Sequence, residues 1–432
     1  MDIMTELKKQ AEQVEVLDLQ SEKTTVEYEA NQLKICTVAE TKGSAVRVVR
    51  KGKLGFSAST DDTSMEKLAA NALESAAYGD MAPFSFPRLQ PAAIVRTYDR
   101  TITDLPVDRL VEIGKEMLEL VLPVEPNLKC NIGLERSTVA ANIRNHTGLD
   151  VSYQTSPLSL GMEIDRVEGD DVLMLYDQFG TTVWEDEYLE FARRLVEKLK
   201  RARTITSIQP GKMPVLFSPT GALALLLPLS QGLNGKEVYK GTSPVKEKLG
   251  EKLFDEKISL LDDGTISGKF ASASYDDEGM PHRRTVLIED GILKSFIYDL
   301  KTAAQAGVAS TGNASRGLFT PPEASFTNLV LRPGQTPLKD ILAGINEGIL
   351  VEDLLGLGQG NVISGAFSNP LGLAFKIEKG EIVGRVKDLS IAGNVYDLLK
   401  EVAAVSCEAQ WVYSTILAPY ILIPEMNVAG KS

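Results

Sequence analysis

Histidine is nearly missing from this chain. There are two in 432 residues, His146 and His282, and neither has another within a helical turn. A helix-borne zinc hydrolase site needs two His one turn apart, a nearby Glu to move protons, and an open position for water. That arrangement is excluded on these histidines. Cysteine is scarce too: Cys36, Cys130 and Cys407 are far apart, odd in number and without a Cys-x-x-Cys pair. The expectation is free, buried thiols in a reducing compartment. Long apolar runs are missing. The longest, Ala222 to Leu229, is broken at Pro228 and falls well short of the ~20 residues that span a bilayer. The opening "MDIMTELKKQAEQ" has no basic start followed by an apolar block. A cytoplasmic protein with no membrane span is expected.

Nucleophile and phosphate signatures are also lacking. There is no Gly-x-Ser-x-Gly elbow and no Walker-type loop. "GTS" at 241–243 and "SCE" at 406–408 have no local signature of a nucleophile beside a base. "GLGQGN", 356–361, lacks the Lys-Ser/Thr ending and a following helix, so it reads as a loop.

Acidic charge and periodic apolar residues are what the chain does have. Net charge is −13, from 46 basic and 59 acidic residues, which argues against direct contact with DNA or RNA. The one basic cluster, "RRLVEKLKRAR" at 193–203, reads as a solvated helix face. With 43% apolar residues, the core can be large.

The first ~200 residues read as one unit used twice, with length alone suggesting two or three domains. Unit one is a helix from about Asp2 to Val14, strands "TTVEYEANQLKICTVAE" and "GSAVRVVRKGKLGFSAS", and a closing helix capped by Thr63 or Ser64. Unit two is the helix "VDRLVEIGKEMLELVL", strands from Lys129 to Phe179, and the helix "EDEYLEFARRLVEKLKRAR". The predicted fold is therefore α+β. Residues 1–208 form a duplicated helix–antiparallel-sheet–helix domain, with repeats at about 1–100 and 101–208. Residues 209–432 form a mostly antiparallel β domain with a few helices. In it, "MPVLFSP" is a strand, followed by a helix with Ser218 or Thr220 as cap and Gly232 as stop. Asp290-Gly291 and Lys379-Gly380 mark hairpin turns.

One block concentrates candidate functional residues. "SYDDEGMPHRRTVLIEDGILKSFIYDLKTAAQAGVASTGNASRG" carries Asp277, Gly279, Arg283, Arg284, Asn313 and Arg316. Arginine forks suit carboxylates and glycines permit close backbone approach. These six are candidates for contact with a peptide substrate, with loop anchoring as the competing role. Asp276, Asp277, Glu278 and His282 offer hard ligands for a cation but no recognised loop spacing. The simpler reading is that Asp277 and Gly279 shape a turn.

This block, with "TNLVLRPGQ", "INEGILVEDLLG", "GAFSNPLGLAFKIEKGEIVGRVKDLSIAGN" and "PYILIPEMNVAG", resembles the PmbA/TldE branch of the TldD/PmbA family, once called modulators of DNA gyrase. The resemblance runs over nearly the whole chain. It implies a two-subunit metallopeptidase that cleaves unfolded or extended peptides, in peptide maturation and antitoxin turnover. TldD-type chains carry a His-Glu-x-x-x-His helix after a short strand, and a Cys in a Cys-Gly-Lys segment. This chain instead has "SPTGALALLLPLSQGLNG" after "MPVLF", and no Cys-Gly-Lys follows Cys407. Ala366 stands where relatives often have Asp before Phe-Ser. The resemblance thus implies a subunit with no catalytic or metal residues of its own and no cofactor, zinc being on a TldD-like partner. A homodimer is a further expectation. The alternatives are a stand-alone peptide-binding protein or a gyrase-interacting modulator.

Overall fold

The computed structural model describes residues 3–60 and 64–430. The first strands are β1 (Gln13–Glu29), β2 (Gln32–Arg50) and β3 (Lys53–Ser59), followed by β4 (Lys129–Asn145), β5 (Asp150–Thr155), β6 (Leu158–Glu168) and β7 (Asp171–Thr181). They form one seven-stranded sheet in the order β3-β2-β1-β4-β6-β7, with β5 added to β4. Both helix–meander–helix units contribute to it, and their first strands, β1 and β4, pair antiparallel at its centre.

Burial alternates over the far end of β1, at Thr24, Val26 and Tyr28, as a two-faced strand requires, and is continuous over Val14–Leu17. Val14 and Val16 pack on α1 (Ile3–Leu7) and α2 (Met65–Ser75). Val26 and Tyr28 pack under α4 (Val107–Val121), which follows the short α3 (Arg100–Thr103). The first helix is shorter than expected. It ends at Leu7, and Val14 lies in β1, which pairs with β2 from Gln13 onward and is buried on both faces over Val14–Leu17. Asp2 and Thr63 lie outside the described residues; Ser64 caps α2 by accepting from Lys67 N at 3.3 Å.

After α5 (Glu190–Arg201) the remaining strands form a second sheet and a small ribbon. They are β8 (Gly211–Phe217), β9 (Leu260–Asp263), β10 (Arg284–Glu289), β11 (Ile292–Leu293), β12 (Ala314–Ser315), β13 (Glu323–Ala324), β14 (Leu329–Leu331), β15 (Glu347–Leu354), β16 (Ala366–Glu378), β17 (Glu381–Val386), β18 (Leu389–Asn394), β19 (Ala404–Val412) and β20 (Ile416–Gly430). β12 and β13 pair alone; the others make an eleven-stranded sheet in which β8 pairs with both β15 and β20. Only β8–β15 and β14–β20 are parallel among the strand pairs of this sheet. Both turn dipeptides take positive φ, at Asp290 and Gly291 and at Lys379 and Gly380. The α+β class, with mostly antiparallel sheets, is as expected.

The remaining helices are α6 (Leu223–Gly232), α7 (Gly235–Tyr239), α8 (Leu300–Ala306), α9 (Leu338–Ala343) and α10 (Val395–Leu398). The second sheet has two apolar faces. Leu216, Leu350 and Phe375 join α4, α5 and the first sheet in one core. Val215, Phe217, Ile349 and Val351 join α6 in another.

Three local expectations are corrected. Of the free cysteines only Cys130 is buried, while Cys36 and Cys407 are exposed. The basic cluster of α5 is only partly solvated: Arg194 binds Asp177 at 2.9 Å and Lys198 binds the buried Glu352 at 2.9 Å. An amphipathic helix pressed between layers brings its flanking cations onto buried acids. Neither Ser218 nor Thr220 caps α6. Its N-cap is Ala222, and Ser218 Oγ instead accepts from Gly221 N one turn earlier.

Candidate functional site

The helix α6 follows β8 directly and is apolar on all sides. Eight of its ten residues are buried, among them Leu223, Leu225, Leu226 and Leu229. An all-round apolar helix belongs inside a core. Pro228 lies within it, where it removes one backbone donor.

Above α6 lies a cleft of about 550 Å³, lined by Leu223, Leu227 and Pro228 from the helix, the loop 355–362, and the start of β16 at 366–370. Gly356, Gly358 and Gly360 all have positive φ, so this loop follows a path that side chains would resist. None of the residues lining the cleft is ionisable. The lining is apolar at Leu227, Leu357 and Phe367 and polar at Gln359, Ser368 and Asn369. Such a surface holds side chains and main-chain amides. It offers no general base and no ionisable metal ligand.

Tyr396 ties the cleft's helix to a neighbouring turn. Asn394 caps α10 by accepting from Tyr396 N at 2.9 Å, and the Tyr396 hydroxyl lies 3.2 Å from both the Pro228 and Ile363 carbonyl oxygens. One phenol thus bridges α6 to the turn at 362–364. Burial pushes its pKa up to about 12, so it remains a donor. A Cβ at Gly232 would meet the hydroxyl at 2.3 Å, and one at Gly365 would meet the ring at 2.5 Å. These two glycines are the sequence signal for Tyr396, which sequence reasoning missed.

A second cleft, about 960 Å³, meets the first at Leu355 and Pro370. It is strongly charged. Arg385 and Lys387 both reach Asp171, at 3.0 and 2.7 Å. Burial acts to raise the Asp171 carboxyl, but Lys387, Arg385 and Arg166 outweigh it and hold it below the usual range. Asp353 goes the other way: burial pushes it up, only partly offset by the Leu354 amide and Lys198.

The six candidates from the 274–317 block lie elsewhere: Asp277, Gly279 and Arg316 against the first sheet, Arg283, Arg284 and Asn313 among the later segments. Asp277 accepts from the Tyr153 hydroxyl at 3.0 Å and from Arg316 N at 2.9 Å. The turn maker is its neighbour Asp276, which corrects the expectation for Asp277. Asp276 accepts from Glu278 N and Met280 N, both at 2.9 Å, and from Ala314 N at 3.0 Å. Two of these backbone donors belong to the turn itself, and the third comes from β12. Gly279 has φ +78° there, and a Cβ would strike Leu149 at 2.7 Å. Arg283 donates to the carbonyls of Thr311 and Ser310. Asn313 donates to Asp262 at 2.6 Å and Ser325 O at 3.2 Å. Arg284 opens β10 with its side chain at the surface.

Arg316 completes a buried ionic network. Arg47 grips Glu15 with two bonds of 2.8 Å and Glu278 with a third of 2.8 Å; Arg316 adds a 2.8 Å bond to Glu15. The four side chains are at most 2% exposed. Burial acts to raise Glu15, yet Arg47 and Arg316 hold it below the usual range. Glu278 stays raised by burial, Arg47 notwithstanding. Glu15 is on β1 and Arg47 on β2, so the network joins the first sheet to the later block. Asp277, Gly279, Arg283, Asn313 and Arg316 are thus engaged in internal contacts.

Among the described residues no three His, Cys, Asp or Glu side chains are grouped to hold a metal ion. His146 Nδ1 is 3.5 Å from Val14 N. His282 is pushed down by burial. Cys407 donates to its neighbour Glu408 at 3.4 Å. The donor chemistry at α6 does not fit zinc.

A family model described as the PmbA/TldA metallopeptidase C-terminal domain matches residues 210–430, and one described as domain 1 of the same proteins matches residues 15–76. This chain belongs to the PmbA/TldD family. TldE from Thermococcus kodakarensis superposes with a TM-score of 0.90 at 26% identity, over 99% of both chains. A metalloprotease PmbA homolog of Haemophilus influenzae is 25% identical over 346 residues, 76% of this chain and 71% of that protein. A metalloprotease of Methanothermobacter thermautotrophicus is 26% identical over 375 residues, 85% of this chain and 82% of that protein. The chain lies on the PmbA/TldE branch of this metallopeptidase family. Among its described residues, no helix is long and apolar enough to cross a membrane.

Proposed function

We propose that this PmbA/TldE-type chain is the non-catalytic subunit of a two-subunit metallopeptidase for unfolded or extended peptides. The zinc and the hydrolytic step belong to a TldD-like partner. The observation that supports this reading is the cleft on α6, whose lining has no ionisable side chain. Activating water at neutral pH takes a metal or a general base, and this surface supplies neither. It suits an extended peptide instead, with apolar walls for side chains and the glycine loop for main-chain approach, as in strand addition. The charged cleft beyond Leu355 extends the same surface.

Casein hydrolysis tests the proposal, with this chain alone, with a co-expressed TldD-like chain, and each with and without a chelator. Activity only in the mixture, abolished by chelator, is expected. Chelator-sensitive hydrolysis by the pure chain would overturn the assignment.

A further inference from the structure

β7 ends the first sheet, and its outer edge faces the charged cleft. In an antiparallel ladder the main-chain groups of successive residues point to opposite sides of the strand. Three contacts fix which residues of this stretch point outward. Val172 O accepts from Arg385 Nη2 at 3.3 Å, Gln178 N donates to Asp177 Oδ1 at 2.8 Å, and Thr182 N donates to Gly268 O at 3.0 Å. The even-numbered residues therefore turn N–H and C=O away from β6. Arg385 closes this edge at Val172. The β19–β20 turn closes it at the other end, with Tyr413 against Tyr176 and Ser414 over Gly180. Between them, among the described residues, no hydrogen bond reaches the outward N–H and C=O of Met174 or Tyr176. Val172, Met174 and Tyr176 are each more than 40% exposed. An unpaired edge with apolar side chains is a template for another strand.

Charge beside this window selects the occupant. The cations lining the cleft are all engaged, Lys198 on Glu352 and both Arg385 and Lys387 on Asp171. Among the described residues, the lining acids Asp353, Glu163, Asp170 and Asp388 have no ion-pair partner. Asp353 is set apart by its backbone. β15 bulges there, slipping register with β16 between Val351 and Leu354, and a bulge re-aims a side chain. The carboxylate lies over Gly372, where a Cβ would come within 2.6 Å of Oδ2. The odd-numbered residues of β7 face α5, as Asp177 does on Arg194. Lys198 of α5 is near enough to stabilise both the Asp177 and the Asp353 carboxylates, so Asp353 lies on that side too.

We propose that the β7 edge pairs with an extended peptide segment carrying a lysine or arginine, and that Asp353 binds its cation. The inference rests on the extended-peptide reading above and names the class of peptide. A peptide residue opposite Leu175 turns its side chain to the α5 side, and the basic residue belongs there.

Anisotropy of labelled peptides on the full chain tests this. The probes are short Thr/Val peptides with one central Lys, norleucine or Glu. The Lys peptide should bind about ten- to a hundredfold more tightly than the norleucine peptide, with the Glu peptide weakest. Asp353→Asn should abolish the difference between Lys and norleucine. Met174→Pro deletes an outward N–H at a sheet edge, where proline is tolerated, and should weaken every peptide. N-methylation of the peptide reads the pairing without touching the fold: methyl groups at residues of one parity abolish binding and those of the other parity do not. Far-UV circular dichroism verifies that the variants are folded. Equal affinity for the three peptides, a Lys preference that survives Asp353→Asn, or indifference to both Met174→Pro and N-methylation overturns the inference. Binding without charge preference that is lost on Leu227→Arg, in the other cleft, overturns it and leaves the extended-peptide reading standing. Failure of every peptide to bind overturns both.

Discussion

Replacing Arg47 by Met tests whether the buried ionic network holds the first sheet to the later block. Arg47 serves two carboxylates. Without it Glu15 retains Arg316, but Glu278 keeps only the Leu300 amide, at 2.8 Å. Stripping one partner from a buried charge pair costs about 3–5 kcal/mol. Arg316→Met leaves both carboxylates on Arg47 and removes one charge-assisted bond, worth about 1.5–3 kcal/mol. The two losses should therefore rank Arg47 above Arg316. At about 2.1 cal/mol/K per residue, a chain of this length unfolding as one unit has an entropy near 0.9 kcal/mol/K. Arg47→Met then lowers Tm by roughly 3–5 °C.

The pH dependence adds a sign. Burial already raises Glu278 in the native protein, and removing Arg47 raises it further. The folded variant then binds a proton that the unfolded chain has released, so its stability falls as pH rises from about 4.3 through the raised value. The variant's deficit relative to the native chain should grow as pH rises, read by calorimetry at pH 5 and pH 8. A deficit below 1 kcal/mol at pH 8, or one that shrinks as pH rises, would refute the reasoning.

Other outcomes follow from individual contacts. Burial pushes Asp262 up to about 6 from 3.8, so it makes stability fall as pH rises from about 4 to 6, by roughly 3 kcal/mol. Asp262→Asn should flatten that part of the Tm-against-pH curve, and a curve of unchanged slope would count against it. Gly114 lies in α4 where a Cβ would meet Tyr28 Cε2 at 2.3 Å, and the Tyr28 hydroxyl is held by Val111 O at 2.6 Å. Gly114→Ala should therefore lower stability by about 1–3 kcal/mol in chemical denaturation, against the roughly 1 kcal/mol gain that a helical Gly→Ala change otherwise brings.

Local rules carried much of the fold. Period-two burial and the dipeptides Asp290-Gly291 and Lys379-Gly380 marked strands and hairpins, since each signal acts within a few residues. The network was illegible for the opposite reason. Glu15 stands in "VEVLDL", where alternation reads it as a solvent-facing residue, and its partners Arg47 and Arg316 come from distant segments. The arginines of the later block attracted notice as ligands for carboxylates. Arg316 does bind one, but it is the chain's own Glu15. Asp277 and Asp276 differ by one position, and only backbone geometry tells which closes the turn. Cys36 and Cys407 are exposed because each lies on an exposed stretch of its strand, which composition cannot register.

The helix α6 bears on function through an all-or-none constraint. Leu225 and Leu226 are at most 1% exposed and packed among Val215, Phe217, Ile349 and Val351. A carboxylate or imidazolium placed there without a metal is a buried, unpaired charge, at a cost of several kcal/mol. With a bound metal the same donors are neutralised and coordinated. Partial sets of ligands are therefore the least stable state of such a helix. Leucines, an internal proline and a bridging tyrosine form a consistent set with no charge to satisfy. Whatever group enters this cleft meets shape and main-chain polar groups rather than charge.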